Sequence, residues 1–230
     1  MRHTPDALML FAAGFGTRMG SLTQDRPKPL IEVAGRPLLD HALEIAEAAR
    51  IGRIVVNTHY KAEQIAAHLA GRDVAISHEA GEILDTGGGL RAAMPLLGGS
   101  PVYTMNTDAV WRGPNPLAQL AQAWDEGRMD ALLLCLPPAQ AIGHVGSGDF
   151  TLDDQGRAAR GPGLIYSGAQ IIRTDALAKM PEGAFSLNKL WDRMMAEGRL
   201  YGTVYSGQWC DVGHPGGIAL AENMLAMPDV

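Results

Sequence analysis

An apolar run, Ala7 to Ala12, leads into a loop with no continuing helical pattern: Phe11 to Leu30 read FAAGFGTRMGSLTQDRPKPL. The run is short enough for a buried parallel strand. Gly14 and Gly16 remove Cβ atoms where the backbone turns sharply and approaches a ligand, so successive N–H groups can face an anion. Arg18 adds a fixed charge. Lys28 stands between Pro27 and Pro29, whose locked φ angles stiffen the backbone on either side of it. Two familiar glycine loops do not fit. The P-loop needs G-x-x-x-x-G-K-[ST], and no glycine precedes Lys28; the dinucleotide fingerprint opens directly into a helix, whereas Gly20 falls one place late and the two prolines forbid that helix. An ordinary strand-to-loop turn with surface charges is the bland alternative.

Beyond the loop the chain alternates strand and helix. Pro37 suits a helix start, and Leu38, Leu39, Ala42, Leu43, Ile45 and Ala46 form an apolar stripe that Gly52 ends. Arg53–Asn57, Val74–His78, Val102–Met105, Ala131–Leu136, Leu164–Ile172 and Leu200–Tyr205 read as strands; Ala62–Leu69, a short segment ending near Pro95, Leu117–Trp124, Phe185–Leu200 and a segment begun by Pro215 read as helices. The pattern predicts an α/β fold: a mostly parallel twisted sheet with helices on both faces and ligands at the carboxyl ends of its strands. Gly143–Phe150 and a polar hairpin, Thr151–Arg160, interrupt the alternation and read as a small β-rich flap. With 230 residues and 47% hydrophobic content, one domain over 1–230 suffices. Residues 1–115, which carry the glycine loop, and 116–230, which carry the flap, are expected to form its two main parts.

A net charge of −6 argues against nucleic-acid or anionic-membrane partners, so a phosphate must find local positive charge. Lysine occurs only at 28, 61, 179 and 189, which makes one of them between two prolines beside the glycine loop informative. Cys135 and Cys210 show no metal or redox spacing, and no signal-like or membrane-length apolar run occurs. A reduced, cytoplasmic chain, monomeric by default, is the expectation.

Other stretches are candidates on position alone. Asp85 to Leu90, DTGGGL, leads into a short helical segment, and its three consecutive glycines would leave unpaired N–H groups facing outward, or serve as a flexible hinge. Asp108 falls where a strand leaves the sheet, where a carboxylate suits Mg²⁺ as well as it suits a turn. Asp211, in QWCDVG, admits an Asx turn, and Asp149 a hairpin turn. Leu187, Leu190, Trp191 and Met194 read as a core stripe.

FAAGFGTRMG, PKPL and the following VAGRPLL resemble the signature of the sugar-1-phosphate nucleotidyltransferases. The resemblance continues along essentially the whole chain. It implies nucleotidyl transfer from a nucleoside triphosphate to a sugar 1-phosphate, with Mg²⁺ on Asp108 and Asp211. It places Ala12, Ala13, Gly14, Gly16, Thr17, Arg18, Lys28, Thr86, Gly87 and Gly88 at the nucleotide and Asn106, Asp149 and Ser167 at the substrate; Arg18, Lys28 and the two aspartates carry the chemistry. Later segments are similar to a branch of uridylyltransferases acting on N-acetylmuramate 1-phosphate in cell-wall recycling, which implies UTP. A mannose 1-phosphate guanylyltransferase and a catalytically idle nucleotide-sugar sensor stay open. Two departures stand out: Thr107 where most relatives carry Gly or Ala, and Arg160-Gly161-Pro162 where many carry Glu-Lys reaching the sugar phosphate. Either Arg160 substitutes for that lysine or the phosphate depends on the metal, Arg18 and Lys28 alone.

Overall fold

In the computed structural model, which describes residues 4–180 and 182–227, the apolar run before the glycine loop is strand β1 (Ala7–Phe11). Leu8 and Leu10 face one apolar cluster and Met9 the other, so the strand is covered on both sides, which is why it reads as a continuous apolar run. The loop tightens into two 3-10 turns, Thr17–Thr23 and Lys28–Leu30, that the sequence pattern left as loop. Gly16, at φ 64°, precedes the first and Pro27 the second.

A two-residue ladder of β2 (Glu32–Val33) and β3 (Arg36–Pro37) feeds α1 (Leu38–Ala48), whose Leu38, Leu39, Ala42, Leu43 and Ala46 are the buried stripe expected from their spacing. Strand β4 (Arg53–Thr58), helix α2 (Ala62–Leu69) and strand β5 (Ala75–His78) follow. Helix α3 (Asp85–Leu97) runs past Pro95, which was expected to end it. Pro95 lies in the last turn, so only one amide bond is forfeited, and the stop is made by Gly98, left-handed at φ 78°, whose N–H donates to Met94 O.

Strands β6 (Val102–Asn106) and β7 (Ala109–Arg112) lead to α4 (Pro116–Ala123), capped by the Asn115 side chain, which accepts from the Leu117 and Ala118 N–H groups. Strand β8 (Ala131–Leu136) is buried throughout and is followed by the short β9 (Ala141–Ile142). The expected hairpin is β10 (Phe150–Leu152) with β11 (Ala158–Arg160), and it returns to β12 (Ile165–Ile172). Helix α5 (Asn188–Ala196) is shorter than the predicted Phe185–Leu200. Its intended first turn is tied to α3 instead: Phe185 O accepts from Gly87 and Gly88, and Leu187 N–H donates to Thr86 Oγ1. Strands β13 (Leu200–Val204) and β14 (Gln208–Asp211) and helix α6 (Gly216–Ala226) complete the described chain.

One seven-stranded sheet has the order β13-β8-β12-β6-β1-β4-β5. Strands β6, β1, β4 and β5 run parallel, as do β13 and β8; β12 is antiparallel to both its neighbours and joins the two groups. Helices α1, α2 and α4 pack on one face and α3 and α5 on the other. The mostly parallel α/β sheet expected from the pattern is therefore present, with one antiparallel strand at its seam. A second sheet, β7-β14-β9, was not foreseen because its strands are at most four residues long; it packs on Met19, Val33, Ala221 and Met224. Among the described residues no helix is long and apolar enough to cross a membrane.

Candidate active site

Phe11, Asn57 and Asn106 stand in register at the carboxyl edge of β1, β4 and β6. From there the glycine loop bends over a cavity of about 340 Å³ lined by Ala12, Ala13, Gly14, Gly16, Thr17 and Arg18, with Lys28, Thr86, Asn106 and Asp108 completing the wall. Ten residues singled out from sequence thus meet at one opening. Among the described residues the N–H groups of Gly14, Phe15 and Gly16 donate to no protein acceptor and are available to an anion.

The loop is pinned where it leaves β1. Asn57 Oδ1 accepts from Ala12 N–H at 2.7 Å, and Asn57 Nδ2 donates to Glu79 Oε1 at 2.7 Å. Glu79, only 3% exposed, accepts at its other oxygen from Leu84 N–H, so both its oxygens are hydrogen-bonded. Thr107, singled out from the sequence, braces the backbone here, since its hydroxyl donates to Phe11 O at 2.7 Å and ties the end of β6 to the start of the loop. A Cβ on Gly16 would lie 2.8 Å from Lys28 Cβ and 2.9 Å from Thr23 Cγ2, so the bare backbone is what lets the loop rest on the proline-flanked lysine. Lys28 is buried, and its Nζ sits 2.9 Å from Asp108 Oδ2.

Asp211 reaches Asp108 through the unforeseen small sheet. The antiparallel register of β14 on β7 sets Asp211 against Ala109, and Val212 N–H donates to Asp108 O at 2.9 Å. Burial, and then the charge of Asp108, push the Asp211 carboxyl above its ordinary range, against the opposing pull of Lys28, Arg18 and His144. At Gly213 a Cβ would lie 2.9 Å from each Asp211 carboxylate oxygen and 3.1 Å from Arg18 Nη1, so only glycine lets these groups converge. Two carboxylates brought together on a partly buried floor fit a hard divalent cation that takes its remaining ligands from water and substrate phosphates. Among the described residues no cluster of three or more His, Cys, Asp or Glu could encage a metal by itself.

Two further cavities open beside the first, and Asn106 lines all three. One holds Arg18, Asp108, His144, Ser167, Asp211 and His214. Ser167 is buried there with its hydroxyl donating to Leu134 O at 2.7 Å. The other holds Asp149, Arg160, Tyr166, Asn188 and Trp191; Asp149 Oδ2 accepts from Tyr166 N–H at 2.9 Å. The predicted core stripe of α5 is buried as expected, yet the edge of Trp191 also forms cavity wall.

The structure corrects one reading. Gly87 and Gly88 do not present free N–H groups: both donate to Phe185 O, at 2.8 and 3.1 Å, and neither lines the cavity under the glycine loop. A Cβ on Gly87 would fall 2.3 Å from Phe185 Cε2, and one on Gly88 would fall 2.7 Å from Gly183 O. These glycines are small so that the 183–185 segment can lie against α3. Sequence reasoning also missed Asn57, Glu79 and His214. For Asn57 a signal was available, because it closes an apolar strand at the same edge as Asn106.

Residues 8–145 match the MobA-like NTP transferase domain. The N-acetylmuramate alpha-1-phosphate uridylyltransferase of Caulobacter vibrioides is 39% identical, over 98% of this chain and 99% of that protein. The protein of the same description from Neisseria meningitidis serogroup B is 34% identical over 89% of this chain and 92% of its own length. Among solved structures, HddC from Yersinia pseudotuberculosis complexed with GMP-PN superposes with a TM-score of 0.75 at 21% identity, covering 95% of this chain and 99% of that one; at that identity the likeness is one of fold.

Proposed function

Since the chain belongs to the MobA-like NTP transferase family, we propose that it transfers a uridylyl group from UTP to N-acetylmuramate 1-phosphate, giving UDP-N-acetylmuramate and pyrophosphate. The observation that carries this reading is the meeting, at Asn106, of a phosphate-wrapping loop, a buried lysine and a carboxylate pair, in a chain 39% identical along its length to an enzyme described by that reaction.

The chemistry follows from the charges. An acceptor phosphate oxygen attacks the α-phosphorus in line and pyrophosphate leaves, so two anions must be brought together. The free N–H groups of Gly14 to Gly16 and the guanidinium of Arg18 hold the triphosphate. Lys28, held on Asp108, supplies positive charge where the pentavalent centre gains negative charge. Asp108 and Asp211 would hold Mg²⁺, which when bound neutralises phosphate charge. An already ionised phosphate has no proton to lose, so no general base is required, and no protein nucleophile is used. Asp149 and Asn106 accept from and donate to the acceptor sugar. On this reading the nucleotide lies mainly against residues before 115 and the acceptor mainly against residues after 116. We place the reaction in the cytoplasm, a reducing compartment in keeping with two free, buried cysteines.

Direct competition tests the substrate pair. Purified protein given UTP and GTP together, with N-acetylmuramate 1-phosphate or mannose 1-phosphate, should form UDP-N-acetylmuramate with the highest kcat/KM. A wrong base leaves buried donors and acceptors unpaired, at about 1–3 kcal/mol each, which is roughly tenfold or more. A higher kcat/KM for GTP with mannose 1-phosphate would remove the substrate assignment and leave nucleotidyl transfer standing.

A further inference from the structure

The cavity on the Asp149 side of Asn106 contains a cation that stands apart from Arg18 and Lys28. Arg160, at the end of β11, lays its guanidinium over the rings of Phe150 and Trp191, 4.8 and 5.6 Å from their centroids. Both hydrogen bonds it makes leave through Nη2, to Asn188 Oδ1 at 2.6 Å and Asp192 Oδ1 at 3.1 Å. Among the described residues Nε and Nη1 have no acceptor. The Asp192 side chain is 63% exposed and keeps most of its hydration, so it neutralises Arg160 only in part.

The platform under the guanidinium is rigid. Trp191 Nε1 donates to Gln170 Oε1 at 2.9 Å, and Gln170 Nε2 donates to Thr104 Oγ1 at 3.1 Å, a chain that ends at two fully buried residues paired across β12 and β6. Phe150 meets Trp191 edge-on. The guanidinium lies against two rings that meet at 75° and is tied through Nη2, and the Nε and Nη1 N–H groups that remain can each give a carboxylate oxygen a charge-assisted hydrogen bond.

Arg160 is the one cationic residue among those described that line this cavity; Asp85 and Asp149, which share the wall, suit sugar hydroxyls and repel anions. It lines neither of the cavities that hold Arg18, Asp108, Lys28 and Asp211. The acceptor's 1-phosphate must reach that group, so an anion at Arg160 lies elsewhere on the same sugar. We propose that Arg160 reads an acidic substituent of the acceptor sugar and so sets the preference for a sugar 1-phosphate that carries a carboxylate over the same sugar without one. The inference rests on the nucleotidyl-transfer reading. N-acetylmuramate 1-phosphate bears such a group as an ether-linked carboxylate; N-acetylglucosamine 1-phosphate has a hydroxyl in its place.

The test compares these two acceptors, with UTP, on the full chain and on Arg160→Gln and Arg160→Lys. The ratio of kcat/KM for the muramate acceptor to that for the glucosamine acceptor should fall about ten- to a hundredfold in Arg160→Gln and recover in part in Arg160→Lys, which restores charge without the planar fork. Equal losses on both acceptors would assign Arg160 to the shared phosphate and overturn the proposal, as would an unchanged ratio in both variants. Should Arg160→Gln not fold, shown by loss of its melting transition, the ratio in Arg160→Lys decides alone. If the unaltered protein transfers to neither acceptor, the underlying reading fails and the inference falls with it.

Discussion

Gly87→Ala distinguishes a glycine needed for close contact within the protein from one needed for contact with a ligand. The added methyl would stand 2.3 Å from Phe185 Cε2 and 2.8 Å from Phe185 O, where ordinary contact begins near 3.5 Å, so the ring must retreat by roughly 1 Å. Phe185 is 5% exposed, and the Arg91 guanidinium covers it, leaving little room to move. Overpacking of this kind costs about 1–3 kcal/mol, and straining the Gly87 and Gly88 bonds to Phe185 O adds about 1 kcal/mol. Alanine's better helix propensity returns only about 0.5–1 kcal/mol, so the net effect is a loss of about 2 kcal/mol. For a domain of this size that lowers the melting temperature by about 4–8 °C. The KM for the nucleoside triphosphate should stay within about twofold, because Gly87 is not part of the cavity wall. Gly14→Ala should do the reverse: its methyl meets no protein atom within 4 Å, so melting is unchanged, but it intrudes on the nucleotide cavity and KM rises. Thermal melting and steady-state kinetics on both variants give four readings. An unchanged melting temperature with a raised KM in Gly87→Ala would refute the assignment of the glycine to internal contact.

The two aspartates should separate in stability while agreeing in turnover. Asp108→Asn and Asp211→Asn should each lower kcat by about a hundredfold or more. Asp211→Asn should melt at or slightly above the parent, since an amide removes both the burial cost of the charge and its repulsion from Asp108, whereas Asp108→Asn strips the buried Lys28 of its partner and should melt lower. Near-normal turnover at saturating Mg²⁺ would dismiss the residue concerned. Lys28→Ala should depress kcat and kcat/KM together, the mark of an interaction made in the transition state; a rise in KM alone would assign the ammonium to ground-state phosphate.

Periodicity made most of the fold legible, because strands such as β1, β4 and β8 are buried on both faces and read as plain apolar runs. The direction of β12 was not legible: LIYSGAQII is equally apolar in either sense, and only its hydrogen-bonded neighbours fix it as antiparallel. In the site, the loop, Lys28 and the polar strand ends could be placed from the sequence, since backbone chemistry and sheet edges leave local marks. The approach of Asp211 to Asp108 could not, because it depends on the pairing of two four-residue strands nearly a hundred positions apart. The triple glycine misled for a related reason: the sequence shows that side chains are missing at Gly87 and Gly88 but not that Phe185 fills the space. Arg160 stood out in the sequence only as a stand-in for a lysine, because the rings beneath it come from β10 and α5 and leave no mark beside it in the chain.

The ladder between β7 and β14 also bears on how the enzyme comes into being during synthesis. The parallel group of β1, β4, β5 and β6 pairs strands that all lie within the first 106 residues, so the glycine loop, Lys28 and Asp108 can take their places once the first half of the chain has emerged. Asp211 joins them only after β14 has been made and has found β7. On the proposed mechanism a nascent chain would have its phosphate cradle long before its second carboxylate, and competence to react would arrive as one of the last events of translation. A truncated product ending before Gln208 would hold a nucleotide without turning it over.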